Sequence, residues 1–129
     1  MASVPGGKVY AIGGGYYFGP PITASVSGYD PATNAWAAAP SLGTARGGLA
    51  AAVLNGTLYA LGGYNGNTLT LVETFTPTAA GGGTWATGTP MRTGRYLFGA
   101  AAVEGKLLVA GGCNGNYCTN YLASAEVFD

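Results

Sequence analysis

Gly56-Thr57-Leu58-Tyr59-Ala60-Leu61-Gly62-Gly63 decides the fold, because the same phrase is written three times in the chain. Forty-nine residues earlier it reads Gly7-Lys8-Val9-Tyr10-Ala11-Ile12-Gly13-Gly14, and forty-nine later Gly105-Lys106-Leu107-Leu108-Val109-Ala110-Gly111-Gly112. Each copy is a short apolar run bounded by glycines, the pattern of a strand closed off by turns. Trp36 and Trp85 keep the same spacing, and so do Arg46 and Arg95. A strict period of this length means that one supersecondary unit is copied and stacked, since a single unit has nothing on which to bury its apolar face.

Outward from the central phrase, Gly48 to Leu54 reads as a first strand of small and aliphatic residues, and Asn55-Gly56 as a favoured two-residue hairpin turn. Thr57 to Gly63 is the second strand, Leu71 to Thr76 the third, and Thr84 to Gly88 the fourth. The expected unit is a four-stranded antiparallel sheet. Ala50-Ala51-Ala52 and Ala100-Ala101-Ala102 give the first strands the small side chains needed where several sheets converge on an axis. By the same count the first unit has three strands, without an inner one, and the last has three, without an outer one. The expected divisions of the single domain are 1–38 (partial), 39–88 (complete) and 89–129 (partial).

Composition narrows the function. Apolar residues make up 48% of the chain and charged ones only 8%, with five basic side chains balanced by five acidic ones. That balance offers no electrostatic footprint for nucleic acid or an anionic membrane. No run of about 18 apolar residues reads as a membrane span, and Met1 to Gly7 does not read as a secretory signal. Histidine is absent, which removes the commonest general base and metal ligand. The carboxylates Asp30, Glu73, Glu104, Glu126 and Asp129 are scattered, and Gly13-Gly14-Gly15 and Gly81-Gly82-Gly83 lack the lysine of a phosphate loop. No catalytic residue, metal or cofactor is expected. Cys113 and Cys118 are too few for a zinc site. They read either as a disulfide closing a small ring, which would favour an extracellular setting, or as two free thiols.

Several residues together resemble kelch-type β-propeller repeats, of the kind common in bacterial secreted proteins. They are the three glycine doublets, Tyr29-Asp30-Pro31 with Asn34 and Trp36, Phe75-Thr76-Pro77 with Trp85, and the closing Glu126-Val127-Phe128-Asp129. The resemblance spans essentially the whole chain and implies an all-β fold of four-stranded propeller blades, about two and a half in number, an incomplete ring in one chain. It gives structural roles to Gly13, Gly14, Gly62, Gly63, Gly111 and Gly112, and blade-to-blade packing to Trp36 and Trp85. It also implies structural pairs of Arg46 with Glu73 and of Arg95 with Glu126. Thr76 departs from the usual aspartate. Gly48 and Leu97 stand where kelch adaptors of ubiquitin ligases carry a ligand-contacting arginine, so that mode of peptide binding is not expected. The copper set of galactose-oxidase-type propellers is likewise missing.

Because antiparallel strands alternate in direction, the loops after second strands and those after fourth strands emerge at the same end. That end collects Tyr16, Tyr17 and Phe18, then Tyr64 and Asn65, then Asn114, Tyr117 and Tyr121, together with Arg92 and Tyr96. Tyrosine, asparagine and arginine on a rigid scaffold supply flat apolar area and hydrogen bonds at low entropic cost. The expected function is a non-catalytic module whose ligand-binding residues are Tyr16, Tyr17, Tyr64, Asn65, Arg92, Tyr96, Asn114 and Tyr117, facing a protein, peptide or glycan. Two alternatives stand beside it: a homo-oligomer that closes the propeller, and a fragment of a larger propeller enzyme with its active site elsewhere.

Overall fold

Two hairpin turns set the register of the sheets. Asn55 and Gly56 both take positive φ, 51° and 76°, and Glu104 and Gly105 repeat this at 49° and 74°, the geometry whose twist matches that of the flanking strands. The computed structural model describes residues 2–3, 7–15, 21–78 and 82–128. In it, β1 (Ala2–Ser3), β2 (Val9–Gly14), β3 (Thr23–Asp30) and β4 (Ala35–Ala39) form one antiparallel sheet in chain order. A second sheet takes β5 (Ala50–Leu54), β6 (Thr57–Leu61), β7 (Val72–Phe75) and β8 (Trp85–Thr87). A third takes β9 (Gly99–Val103), β10 (Lys106–Ala110) and, after a small hairpin of β11 (Cys113–Asn114) and β12 (Asn120–Tyr121), the strand β13 (Ala125–Phe128). Register is shared across the sheets: Val9 faces Tyr29, Leu58 faces Phe75 and Leu107 faces Phe128.

The strand count differs from the expectation in one place. The first sheet has an inner strand, because Ala2 and Ser3 pair with Tyr10 and Val9. Two residues carry no period that sequence reading can detect, yet they satisfy a backbone edge that would otherwise stand open. A further addition is the β11–β12 hairpin with its 3₁₀ turn at Asn116–Cys118, inserted before β13.

The core lies between sheets. On one face of the second sheet Leu58, Ala60 and Phe75 meet Tyr10, Ile12, Val26 and Leu42; on the other Ala52, Leu54, Leu61, Val72 and Met91 meet Leu107 and Val109. Burial on both faces explains why β6 reads as a nearly continuous apolar run. Each of Leu58, Leu61 and Phe75, at 0%, 0% and 1% exposure, contributes about 1.5–3 kcal/mol by leaving water.

The tryptophans fare differently. Trp85 stacks on Phe75 at 5.1 Å and donates its indole N–H to Pro40 O at 2.8 Å, bridging to the segment that follows β4. Trp36 rests on Tyr29 at 5.3 Å but remains 54% exposed, so among the described residues it packs within its own sheet and not between blades. The turn before it is built by Asp30, which accepts the Ala32 amide at 2.9 Å, and by Asn34, whose Oδ1 accepts the Tyr29 hydroxyl at 2.6 Å.

The glycine doublet has a steric reason. Gly62 has φ 59° and Gly63 φ 108°, and a Cβ would lie 2.5 Å from Arg95 O on the first and 2.9 Å from Gly47 O on the second. The doublet is thus where the backbone of the segments leading into the second and third sheets crosses close by, and only glycine admits both the conformation and the contact. Gly62→Ala is expected to destabilise the protein by at least about 2 kcal/mol in urea unfolding. Gly99→Ala, with negative φ and nothing within 4 Å of its added Cβ, should change stability by less than about 0.5 kcal/mol.

Candidate functional site

The loop following β6 and the loops leading into β5 and β9 converge at one end of the sheets. Gly47 bridges to Tyr64, Tyr64 to Thr68, and Tyr96 to Cys113, each in antiparallel fashion. The Gly47–Tyr64 and Tyr96–Cys113 pairings stitch together loops separated by whole strands, and Tyr64–Thr68 closes the turn between them. Polar side chains complete the stitching: the Tyr64 hydroxyl donates to Asn116 Oδ1 at 3.0 Å, and the Gly115 amide donates to Thr68 Oγ1 at 3.0 Å. Tyr64 and Tyr96 lie ring against ring at 5.0 Å.

Tyr96 is buried, and its hydroxyl is fully engaged. It donates to Gly115 O at 2.8 Å and accepts the Cys118 amide at 2.6 Å. Cys113 and Cys118 form a disulfide with Cα atoms 5.2 Å apart, which closes the loop over this tyrosine. The closed loop holds Tyr117 in the left-handed region at φ 57°, with 69% of its surface exposed. Tyr121, facing Cys113 on β12, is 87% exposed. Leu97, also at positive φ, is 59% exposed at the same end. The aromatic residues at this end therefore divide into two groups: the Tyr64 and Tyr96 hydroxyls bond to neighbouring loops, whereas Tyr117 and Tyr121 expose most of their surface.

The other sequence-selected residues take distinct places. Asn65 accepts the Asn67 amide at 3.4 Å and shapes the turn after β6, and Asn114 lies half-buried on β11 opposite Asn120. Arg92 is exposed at the mouth of a groove of about 810 Å³ between the second and third sheets, lined also by Tyr59, Thr89, Glu126 and Phe128. Tyr16 and Tyr17 lie outside the described residues. Asn116, Thr68 and Asn120 were not singled out by sequence; the cysteine spacing, which marks 113–118 as one closed loop, could have pointed to Asn116, whereas Thr68 and Asn120 lie outside that loop and leave no such signal.

Beneath the loops, Arg46 and Arg95 are fully buried. Arg46 donates through Nη1 to Glu73 and through Nη2 to Ala60 O at 2.9 Å, while the other oxygen of Glu73 accepts the Gly43 amide at 2.6 Å. Burial lowers the pKa of Arg46 from its ordinary value, and the hydrogen bond and charge of Glu73 oppose that shift. Arg95 repeats the arrangement more loosely. It donates to Gly111 O at 2.8 Å, to Ser124 O at 3.1 Å and to Ser124 Oγ at 3.0 Å, and reaches Glu126 Oε2 at 3.4 Å. Glu126 also accepts the amides of Arg92 and Thr93 at 2.6 and 3.0 Å. Burial pushes the Glu126 carboxyl up, but the two amides together with Arg95 outweigh it and leave its pKa below the usual value.

No group of three or more His, Cys, Asp or Glu side chains is gathered among the described residues, and no helix among them is long and apolar enough to cross a membrane. The family model described as the kelch motif matches three times, at residues 2–43, 45–92 and 94–129. One of the three larger sheets falls within each match, and the third match also holds the β11–β12 hairpin.

Glu73→Ala leaves a buried guanidinium without its counter-charge and should cost about 3–5 kcal/mol in chemical denaturation. The lowered pKa of Glu126 has a defined sign. Its contribution is present above the unfolded value of about 4.3 and is lost as pH falls through the lower folded value. Unfolding free energy measured from pH 7 down through that range should fall less steeply for Glu126→Gln than for the unaltered protein.

Proposed function

The chain belongs to the kelch-repeat family, and from that premise we propose that its disulfide-closed loop face receives a protein partner, with Tyr117 and Tyr121 as the anchoring side chains. Kelch repeats generally mediate protein–protein interaction, and propellers of this family are mostly non-catalytic binding modules. The observation that carries the reading is the division among the tyrosines. A frame of Tyr64, Tyr96, Asn116 and the Cys113–Cys118 bond orders the loop backbone that carries two large amphipathic residues, 69% and 87% exposed. Backbone ordered before binding loses little freedom when a partner covers its side chains, which favours affinity concentrated in few residues.

The neighbouring polar groups suit a polypeptide partner. Asn114 and Asn120 pair with each other across β11 and β12 in the same hairpin, and amide side chains pair readily with backbone N–H and C=O groups. Arg92 adds a positive charge at the groove mouth, within reach of a partner's carboxylate. A disulfide in the recognition loop fits an oxidising, extracellular compartment.

Selection of a displayed peptide library on the unaltered protein provides the test. Selected peptides should bind Tyr117→Ala and Tyr121→Ala at least tenfold more weakly, about 1.4 kcal/mol each, with unfolding midpoints unchanged. Glu104→Ala, on the hairpin turn at the opposite end, should bind as the unaltered protein does. Equal binding by the tyrosine variants would overturn the assignment, and so would recovery of glycans instead of peptides from parallel array screens.

A further inference from the structure

We propose that the Cys113–Cys118 bond is a redox latch: closed, it holds the loop face ready for its partner, and a dithiol opens it without unfolding the sheets. This gating rests on the assignment of Tyr117 and Tyr121 as anchors of a protein partner, and adds the condition under which they are presented.

The second repeat supplies a control. Gly47 and Tyr64 stand one repeat before Tyr96 and Cys113. Each pair exchanges two backbone hydrogen bonds, at 3.1 and 2.9 Å for Gly47 with Tyr64 and at 3.0 Å in both directions for Tyr96 with Cys113. In the second repeat this joint is made without sulfur, and the loop there is closed by the Tyr64–Thr68 bridge. The disulfide is therefore not what fastens the segments together. What it adds is a fixed course for Gly115 to Cys118.

That course is one the chain would otherwise leave. Tyr117 and Cys118 follow one another at φ 57° and 58°, the left-handed region that glycine takes freely and other residues disfavour. The bond spans a separation of only five residues, and so short a ring removes little entropy from the unfolded chain. It thus adds little to overall stability while opposing a local relaxation. Once it is broken, both residues are free to return to ordinary backbone angles. The Cys118 amide then leaves the Tyr96 hydroxyl, which it now meets at 2.6 Å, and Asn116 leaves the Tyr64 hydroxyl at 3.0 Å. Tyr117 loses the ordered backbone that presents it.

The two sulfurs are unequally placed. Cys113 is 1% exposed and held by its backbone pairing, whereas Cys118 is half-buried at the far end of the loop. A thiolate of an external dithiol attacks the Cys118 sulfur; the S–S bond breaks, and its electron pair leaves on Cys113, which takes up a proton. The second thiolate of the dithiol attacks the mixed disulfide, and the Cys118 sulfur leaves and is protonated in turn. The protein gains two electrons and two protons, and the dithiol becomes a disulfide. The Cys113 thiol so formed has an acceptor in place, Tyr96 O at 3.7 Å from its sulfur, and stays beneath the loop. An oxidising compartment keeps the loop closed, and a dithiol-rich one opens it.

The full chain is compared oxidised and after dithiothreitol, with thiol titration counting the sulfurs released. Reduction should speed hydrogen exchange of the Cys118 amide, followed by NMR, at least tenfold, while amides of β6 and β10 keep their protection and the urea midpoint stays close to that of the oxidised protein. Peptides selected on the oxidised protein should bind the reduced form at least tenfold more weakly and recover on reoxidation, and Cys118→Ser should bind weakly in either condition. The latch is overturned by unchanged exchange at Cys118, by a bond that dithiothreitol leaves intact in the folded protein, or by faster exchange throughout the sheets. Peptides that respond to Tyr117→Ala but not to reduction overturn the gating and leave the partner assignment standing. Peptides indifferent to Tyr117→Ala overturn that assignment, and the exchange rates still decide whether the loop opens.

Discussion

Each sheet is fastened to the next by one arginine acting at both its ends. The carbonyl of Arg46 accepts the Gly14 amide at 3.0 Å, while its guanidinium reaches into the following sheet to Glu73 and Ala60 O. Arg95 does the same one repeat later: its carbonyl accepts the Gly63 amide at 2.9 Å, and its guanidinium holds Gly111 O, Ser124 and Glu126. This explains why glycine doublet and arginine keep a common period. The doublet must lack side chains so that the arginine backbone can approach, and the arginine must be long enough to reach the next sheet. Burying such a charge is tolerable only with its carboxylate and carbonyl acceptors in place.

Much of this frame was legible in the sequence. The three glycine-bounded phrases located β2, β6 and β10, Asn55-Gly56 located a hairpin, and the period singled out Arg46 and Arg95, which the structure pairs with Glu73 and Glu126. What escaped was short or dependent on neighbours. The strand Ala2–Ser3 has too few residues to show alternation. The β11–β12 hairpin holds its shape through a disulfide and the Tyr96 hydroxyl, neither of which leaves a hydrophobic period. Tyr96 and Tyr117 look alike in sequence, yet one is buried and the other exposed, because only the fold brings Cys118 and Gly115 onto the Tyr96 oxygen. Trp36 and Trp85 share a register, but among the described residues only Trp85 packs against a second sheet.

The site inherits its order from this frame. Loops that would be costly to fix alone are held by bridges to segments already anchored by the arginines. Tyr64 is pinned against Gly47, one residue from Arg46, and Tyr96 adjoins Arg95. The tyrosines that join the loops therefore lie beside the buried arginines, and the loop that carries the exposed Tyr117 and Tyr121 rests on them.

Arg46 and Glu73 are 27 residues apart, whereas Arg95 and Glu126 are 31 apart. The additional length is absorbed in the cysteine loop between Gly111 and β13, and the pairing of β10 with β13 keeps the register of its counterpart. Length also differs between third and fourth strands, since the paired Tyr29 and Trp36 are closer in the chain than their counterparts Phe75 and Trp85. Length in this architecture is thus free in the loops and fixed between the glycine doublet and its arginine, so a chain of this kind can lengthen its loops and keep the joint between sheets intact.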